Sequence, residues 1–456
     1  MELDSDACYR AVRTRDVRFD GRFFTGVKST GIYCRPVCPA PTPHQKHCVF
    51  FSCAAAAQEA GFRPCLRCRP EVSPDTPAWN GSSSTVSRAL RLISEGALDD
   101  NSVDTLAARV GVGECHLRRL FTEHLGASPV SVAGTQRVLF AKKLLLETAL
   151  PITDIAFAAG FASVRRFNHV MRDTYQRSPR ELRGRSVAAN TALKLTLPFR
   201  PPYNWTALTR FLALRAIPGV EVVTPEKYTR TIRIDNVSGR IEVTSVAGAH
   251  HLTARIELQN LRPLARVSDR LRHLFDTGAP VQDIESHLRK DPDLAPLIKA
   301  RPGLRVPGAW DPFELAIRAI LGQQVTVKGA STLAGRLVEK YGEDTSYGRL
   351  FPAADALARA DLSSAGLPRT RANSIRAMSE AFASATPPQT IEDLLKLPGI
   401  GHWTGQYIAM RAFNEPDAFP SCDLGLVKAA GPDVATKAEA WRPWRAYAAM
   451  HLWMNL

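Results

Sequence analysis

Four cysteines carry the first readable chemistry. Cys34 and Cys38 stand in "YCRPVC", and Cys65 and Cys68 in "RPCLRC". A Cys-X3-Cys pair, 26 intervening residues and a Cys-X2-Cys pair make good spacing for one tetrahedral Zn2+ held by four thiolates. Such a metal would staple a segment of about 70 residues, too short to build a sufficient core of its own. Zinc also keeps a thiolate deprotonated and nucleophilic at neutral pH, which a free cysteine with a pKa near roughly 8.5 does not guarantee. Two readings therefore stand side by side: a structural zinc knuckle, and a zinc site in which one sulfur reacts. His44 and His47 are secondary candidates as ligands. Cys8, Cys48 and Cys53 lie outside the paired spacing and read as small buried hydrophobes.

The rest of the chain must position that chemistry. Its 456 residues suggest about three domains, and 45% apolar residues suffice for real cores. Lys plus Arg exceed Asp plus Glu by 59 to 44, a net charge of +15, which suggests a polyanion partner: nucleic acid, or an anionic membrane. A basic but merely solvated surface is the plainer alternative. The N-terminal stretch has no apolar core of signal-peptide length, and no run approaches membrane-spanning length, so a cytoplasmic protein with no membrane partner is expected. In that reducing compartment nine cysteines do not read as a disulfide framework. Residues 73–84, "SPDTPAWNGSSS", read as a linker, and a weaker break falls around "RGRSVAANTA". Helical patterns such as "STVSRALRLIS" lie between them. Beyond the second break, "LKLTLPF", "YTRTIRID", "RIEVTSV" and "LTARIELQ" alternate with period two, as half-buried strands do. From about Arg305 the pattern is helical to the end.

"STGIYCRPVC" with "AGFRPCLRC" resembles the N-terminal zinc domain of Ada-type alkylation-response proteins, over roughly residues 5–72. The resemblance implies that Cys34 accepts a methyl group from a DNA methylphosphotriester while it, Cys38, Cys65 and Cys68 hold zinc; Arg67 is assigned to DNA contact. Zinc with four thiolates carries −2, and methylating one sulfur leaves −1. At about 10 Å and an effective dielectric of 20 to 80, that change is worth about 0.4 to 1.7 kcal/mol per nearby phosphate, so repair could act as a binding switch. "VDTLAARVGVGECHLRRLFTEHLGASP" has a helix-turn-helix pattern. Leu106, Ala107 and Val110 form an apolar face, Gly111 sits at the turn, and His116, Arg118 and Arg119 follow. "ITDIAFAAGFASVRRFNHVMRDTYQRSP" repeats the design around Gly160, with Arg165 and Arg166. Two such units joined by "TQRVLFAKKLLLE" resemble the AraC-type DNA-binding domain. In such motifs the second helix enters the major groove, where Arg and His read base edges.

"LPGIGHWTGQYIAMRAF", followed some 20 residues after its Trp by an Asp in "FPSCDLGLVK", resembles the helix-hairpin-helix glycosylase superfamily. Over residues 193–456 the likeness extends to AlkA-type 3-methyladenine DNA glycosylases. Gly399 and Gly401 would let the backbone approach a DNA phosphate at a helix N-terminus, with Thr404 beside them. Asp423 matches the catalytic aspartate. It would stabilise the positive charge that builds on the sugar as the N-glycosidic bond breaks. The target base must first leave the stack, and an aromatic pocket suits a cationic alkylated purine. Trp403, Tyr407 and Trp444 match the pocket aromatics. Bifunctional members carry a Schiff-base Lys where this chain has Trp403, so a monofunctional enzyme without lyase activity is implied. Gln324 occupies the position of an apolar wedge, which leaves base preference open. No Pro-Cys-His-Arg string occurs, and Cys422 lies in "PSCDL", so O6-methylguanine repair is not expected.

The expected fold is multidomain and mainly α. It comprises a small α/β four-cysteine zinc domain (1–72), a linker (73–84), an all-α AraC-type double helix-turn-helix (85–185), an antiparallel-sheet α+β domain (193–290) and an all-α helix-hairpin-helix glycosylase domain (291–456). The expected function is a bifunctional alkylation response: methyl transfer to zinc-bound Cys34, methylation-activated transcription regulation, and excision of alkylated bases such as 3-methyladenine. Double-stranded DNA is the implied partner, with RNA polymerase during activation, and the chain is expected to be a monomer. Two alternatives compete with this reading. One is a pure transcription regulator with an inactive glycosylase-like half; the other is a glycosylase whose first half only tethers it to DNA.

Overall fold

The computed structural model describes residues 3–74, 84–99, 101–183 and 193–456. Most of the expected linker and most of the weaker break at 183–192 lie outside the described residues. The chain forms two compact units, one of residues 1–201 with 250–269 and one of 202–249 with 270–456.

In the first unit, the cysteine segment builds a four-stranded sheet in the order Cys48–Phe51, Phe24–Val27, Ile32–Cys34, Arg63–Pro64. The last strand joins in parallel, pairing Tyr33 with Pro64. Strand alternation turns Tyr33 fully inward and leaves Cys34 partly exposed at the strand end. The same parallel pairing delivers Cys65, whose backbone N–H donates to Tyr33 O at 3.0 Å. Two hydrophobic clusters flank the sheet, one of Cys8, Ala11, Val12 and Phe23, the other of Phe24, Tyr33, Ala54 and Ala57.

The helical segment begins at Ser84–Ser94, the stretch read as a helix from its periodicity. Helices Val103–Arg109 and Glu114–Leu125 form the first helix-turn-helix, and Ile152–Ala158 and Val164–Tyr175 the second. The 19-residue helix Pro129–Glu147 connects them. That helix buries Lys142, whose ammonium meets the Glu71 carboxylate at 2.8 Å with both side chains at most 2% exposed. Desolvation offsets much of the attraction in such a buried pair, so breaking it costs more than forming it gains. The strands Leu193–Pro198 and His251–Leu258 pair antiparallel in this unit.

In the second unit, strands Glu221–Val223, Lys227–Ile234 and Val237–Ser245 form an antiparallel meander. Asp235 takes a left-handed φ of 50° in the tight Asp235–Asn236 turn, as short hairpins require. Helix Pro312–Leu321 is buried almost all round and packs against Arg369–Ala383 and His402–Ala412. Its two charges are consumed internally: Glu314 pairs with Arg230 at 2.5 Å, and Arg318 with Glu221 at 3.2 Å. The C-terminal half is not wholly helical, because Glu343–Thr345 and Gly348–Leu350 form a small hairpin that sequence periodicity over three residues could not signal.

Candidate functional site

The four paired cysteines converge. Their sulfurs all lie within 4.8 Å of one another. A tetrahedron with Zn–S bonds of about 2.3 Å needs sulfurs about 3.8 Å apart, so the donor set fits one Zn2+. His44 and His47 are not part of the cluster.

The sulfurs are not equivalent. The Arg35 N–H donates to Cys68 Sγ at 3.3 Å and the Arg67 N–H to Cys65 Sγ at 3.4 Å. Cys38 accepts from the Ala40 backbone. An N–H donor withdraws electron density from a thiolate, so these bonds damp Cys38, Cys65 and Cys68. Arg35 is held in turn by Asp20 and by the Cys68 carbonyl, the latter at 3.0 Å. Arg67 is exposed.

Each helix-turn-helix follows from local rules. Ser102 caps the first helix through Thr105 N, Gly111 turns the chain at φ 78°, and Leu117 and Phe121 anchor the second helix in the core. In the repeat, Ser163 caps at Arg166 N, Gly160 turns at φ 81°, and Phe167 and Met171 anchor. Arg118, Arg119, Arg165 and Arg166 are all exposed. Arg118 rests on Glu114 at 2.6 Å, a surface pair weak enough for a phosphate or base edge to displace, and Arg119 meets His116 at 3.1 Å.

In the second unit, Thr390 and Asp393 form a capping box that starts helix Ile391–Leu395, and the hairpin passes through Gly399. A Cβ at Gly399 would lie 2.0 Å from Ser374 Oγ at φ +75°, so the turn admits only glycine. Gly401 opens helix His402–Ala412 without a side-chain cap, which leaves its first amides for an anion. Thr404 is a correction to the sequence reading. It is 2% exposed, and its hydroxyl accepts from Gln323 Nε2 at 2.9 Å, because the third position of helix His402–Ala412 faces the core. Gln323 also donates to Gly399 O at 2.9 Å, tying the wedge loop to the hairpin, a role the sequence did not disclose. Its neighbour Gln324 is exposed with a left-handed φ of 57°.

Asp423 sits at the N-cap of helix Leu424–Ala430, accepting from Leu426 N at 3.1 Å. Two indoles grip its carboxylate: Trp403 Nε1 donates to Oδ2 at 2.8 Å and Trp453 Nε1 to Oδ1 at 2.9 Å. Tyr407 lies parallel to Trp403, with centroids 5.3 Å apart and 7° between planes, and meets the edge of Trp453 at 6.2 Å. The third ring beside Trp403 and Tyr407 is thus Trp453, which the sequence did not single out. Trp444 precedes helix Arg445–Trp453 and packs edge-on against Tyr447, about 13 Å of helix rise from Trp453.

A carboxylate oriented by two indole donors, beside stacked rings and a hairpin whose helix N-terminus is free, defines a helix-hairpin-helix base-excision glycosylase site. The four-cysteine cluster and paired helix-turn-helix define a metal-binding, DNA-binding half. Family models agree: the metal binding domain of Ada matches residues 7–71, a helix-turn-helix domain 106–185, the AlkA N-terminal domain 194–311, and the HhH-GPD superfamily of base excision DNA repair proteins 317–439. A Mycobacterium tuberculosis protein named probable bifunctional transcriptional activator/DNA repair enzyme AlkA is 40% identical across 100% of this chain and 97% of its own length. The chain belongs to this AlkA family of bifunctional activator/repair proteins. Escherichia coli DNA-3-methyladenine glycosylase 2 is 36% identical over 57% of this chain and 96% of its own. A 3-methyladenine DNA-glycosylase structure from Archaeoglobus fulgidus, 20% identical, shares the fold with a TM-score of 0.51 over 57% of this chain and 97% of its own.

Proposed function

We propose that this protein is a bifunctional alkylation-response protein, joining an Ada-type methyl acceptor and regulator to an AlkA-type DNA-3-methyladenine glycosylase. The observation that carries the reading is the grip of Trp403 and Trp453 on both oxygens of Asp423. An ionised carboxylate fixed on two donors stays put while charge builds beside it, which is the requirement for stabilising an oxocarbenium-like sugar. Asp423 takes that role, and water completes the hydrolysis at the anomeric carbon. Trp403, Tyr407 and Trp453 supply the faces on which a flipped, positively charged purine stacks. Gln324 fills the gap in the duplex and offers hydrogen bonds to the orphan base, while Gly399 and Gly401 allow the phosphate to approach.

On the regulatory side, Cys34 Sγ attacks the methyl carbon of a methylphosphotriester. The new S–C bond forms as the C–O bond breaks, and the phosphate oxygen leaves with the electron pair. Cys34, Cys38, Cys65 and Cys68 would hold Zn2+, which would supply the lowered thiol pKa that leaves this sulfur a thiolate. Transfer lowers the negative charge facing DNA by one, which strengthens binding at a promoter through Arg67 and the four helix arginines. Recruitment of RNA polymerase by the DNA-bound, monomeric chain follows from this role, as does residence in the cytoplasm. The domain boundaries that suit this division are 1–72, 85–185, 193–290 and 291–456. No helix of the described residues is long and apolar enough to cross a membrane.

With no amine at Trp403, the excision leaves an intact abasic strand. Purified protein incubated with a duplex carrying one alkylated purine should release the free base, without strand scission and without borohydride trapping. Trapping would contradict the monofunctional assignment, and absence of base release would contradict the glycosylase reading.

A further inference from the structure

Beneath the stacked rings lies a concentration of buried positive charge that the reaction so far does not use. Arg411, 2% exposed, donates through Nε to Pro307 O at 2.7 Å, through Nη2 to Gly308 O at 3.1 Å, and through Nη1 to the Tyr407 hydroxyl at 2.8 Å. Arg215 approaches the same hydroxyl from the end of helix Trp205–Ala213, stacked 3.7 Å above the Phe211 ring. From helix Pro312–Leu321 comes Arg318, and from strand Lys227–Ile234 comes Arg230. Against these four guanidinium groups stand two acids, Glu221 and Glu314, and both are occupied by Arg230 and Arg318. That leaves Arg411, buried, and Arg215, half-buried, both beside the Tyr407 hydroxyl, with the Asp423 carboxylate held by Trp403 and Trp453, the two rings packed against Tyr407.

We propose that Tyr407 is a specificity-determining residue: its hydroxyl, held between Arg411 and Arg215 beneath the Trp403 ring, carries negative charge toward the base pocket and so favours cationic alkylated purines over neutral bases. Burial alone pushes a phenol up, but Arg411, Arg215 and Arg318 together bring Tyr407 down to about 8. The buried Tyr33, Tyr175, Tyr228 and Tyr447 are all pushed upward instead. The phenolate would lie under Trp403, the ring on which the base stacks. At about 9 Å, one negative charge would favour a cationic base by about twofold at a dielectric of 80 and about twentyfold at 20.

The inference rests on the glycosylase reading of this site, but its first test does not need activity. Full-length protein is titrated from pH 6 to 9.5 and followed at the tyrosinate absorbance near 295 nm. One tyrosinate equivalent should appear around pH 8, vanish in Tyr407→Phe and move to higher pH in Arg215→Gln. Excision of 3-methyladenine relative to hypoxanthine, measured in single turnover, should rise over the same step in the wild type and stay flat in Tyr407→Phe. Absence of the absorbance step, or its persistence in Tyr407→Phe, would overturn the proposal. So would a selectivity ratio that ignores the step. A wild type that shows the step but excises neither base would remove the glycosylase reading, and the selectivity role with it.

Discussion

Replacing Asp423 with Asn separates chemistry from folding at one atom pair. The substitution removes the negative charge and keeps the shape. If the carboxylate lies about 4.5 Å from the developing sugar cation, at an effective dielectric near 20, the lost stabilisation is about 3.7 kcal/mol, or several hundredfold in rate. The structural cost is smaller and of known origin. Asp423 Oδ1 caps Leu426 N at 3.1 Å, and Asn caps a helix about as well as Asp. The side-chain NH2 then faces the Trp403 indole N–H, which forfeits the 2.8 Å bond at a cost of about 1 kcal/mol. Asp423→Ala would add the cap loss, about another 1 kcal/mol. The assay is single-turnover release of 3-methyladenine beside equilibrium binding to a duplex with an abasic analogue. Release should fall several hundredfold while binding holds or tightens, since a charge repelling DNA has gone. Retention of release within tenfold of wild type, or a parallel loss of binding, would refute the assignment of charge stabilisation to Asp423.

Three further outcomes follow from the same geometry. Trp453→Phe removes the donor to Oδ1 and should slow excision by about tenfold, the worth of one hydrogen bond to a charge, with the fold unchanged by circular dichroism. Glu71→Gln strands the buried Lys142 and should cost about 3 to 5 kcal/mol in denaturant unfolding. Lys142→Met should cost less, because Arg69 Nε still meets Glu71 at 3.1 Å; equal losses would contradict the buried-pair account. Burial pushes Asp276 up to about 6 despite Arg305 and the Tyr447 hydroxyl. A raised carboxyl pKa favours the folded state below the unfolded value and loses that contribution as pH rises through about 6. Asp276→Asn should therefore flatten a decline of up to about 3 kcal/mol in stability between pH 4 and 6, read from unfolding curves.

Much of this site was legible because its residues are fixed by short-range geometry. The cysteine pairs and the turn glycines Gly111, Gly160 and Gly399 are local patterns, and each lands where a local rule places it, whereas Asp423 was legible only through the family resemblance. The strands of alternating hydrophobicity were equally plain. What escaped depended on packing across distant segments. Trp453 and Trp444 are both late tryptophans in a helical context, and only the position of the Asp423 carboxylate distinguishes them. Gln323 and Gln324 are adjacent and chemically identical, yet the left-handed φ at Gln324 sends one outward and leaves the other to bind Gly399 O and Thr404. The arginines around Tyr407 come from positions 215, 318 and 411, so their convergence has no signature along the chain.

The central claim is that one chain holds two independent alkylation chemistries, and a single incubation tests it. Full-length protein with bound zinc is mixed with DNA methylated on bases and backbone, and two products are followed together: free 3-methyladenine, and a methyl group on the Cys34 peptide by mass spectrometry. The wild type should yield both, Asp423→Asn only S-methyl-Cys34, and Cys34→Ala only free base. Loss of both products in either variant, or a methyl group on Cys38, Cys65 or Cys68 in place of Cys34, would contradict the account.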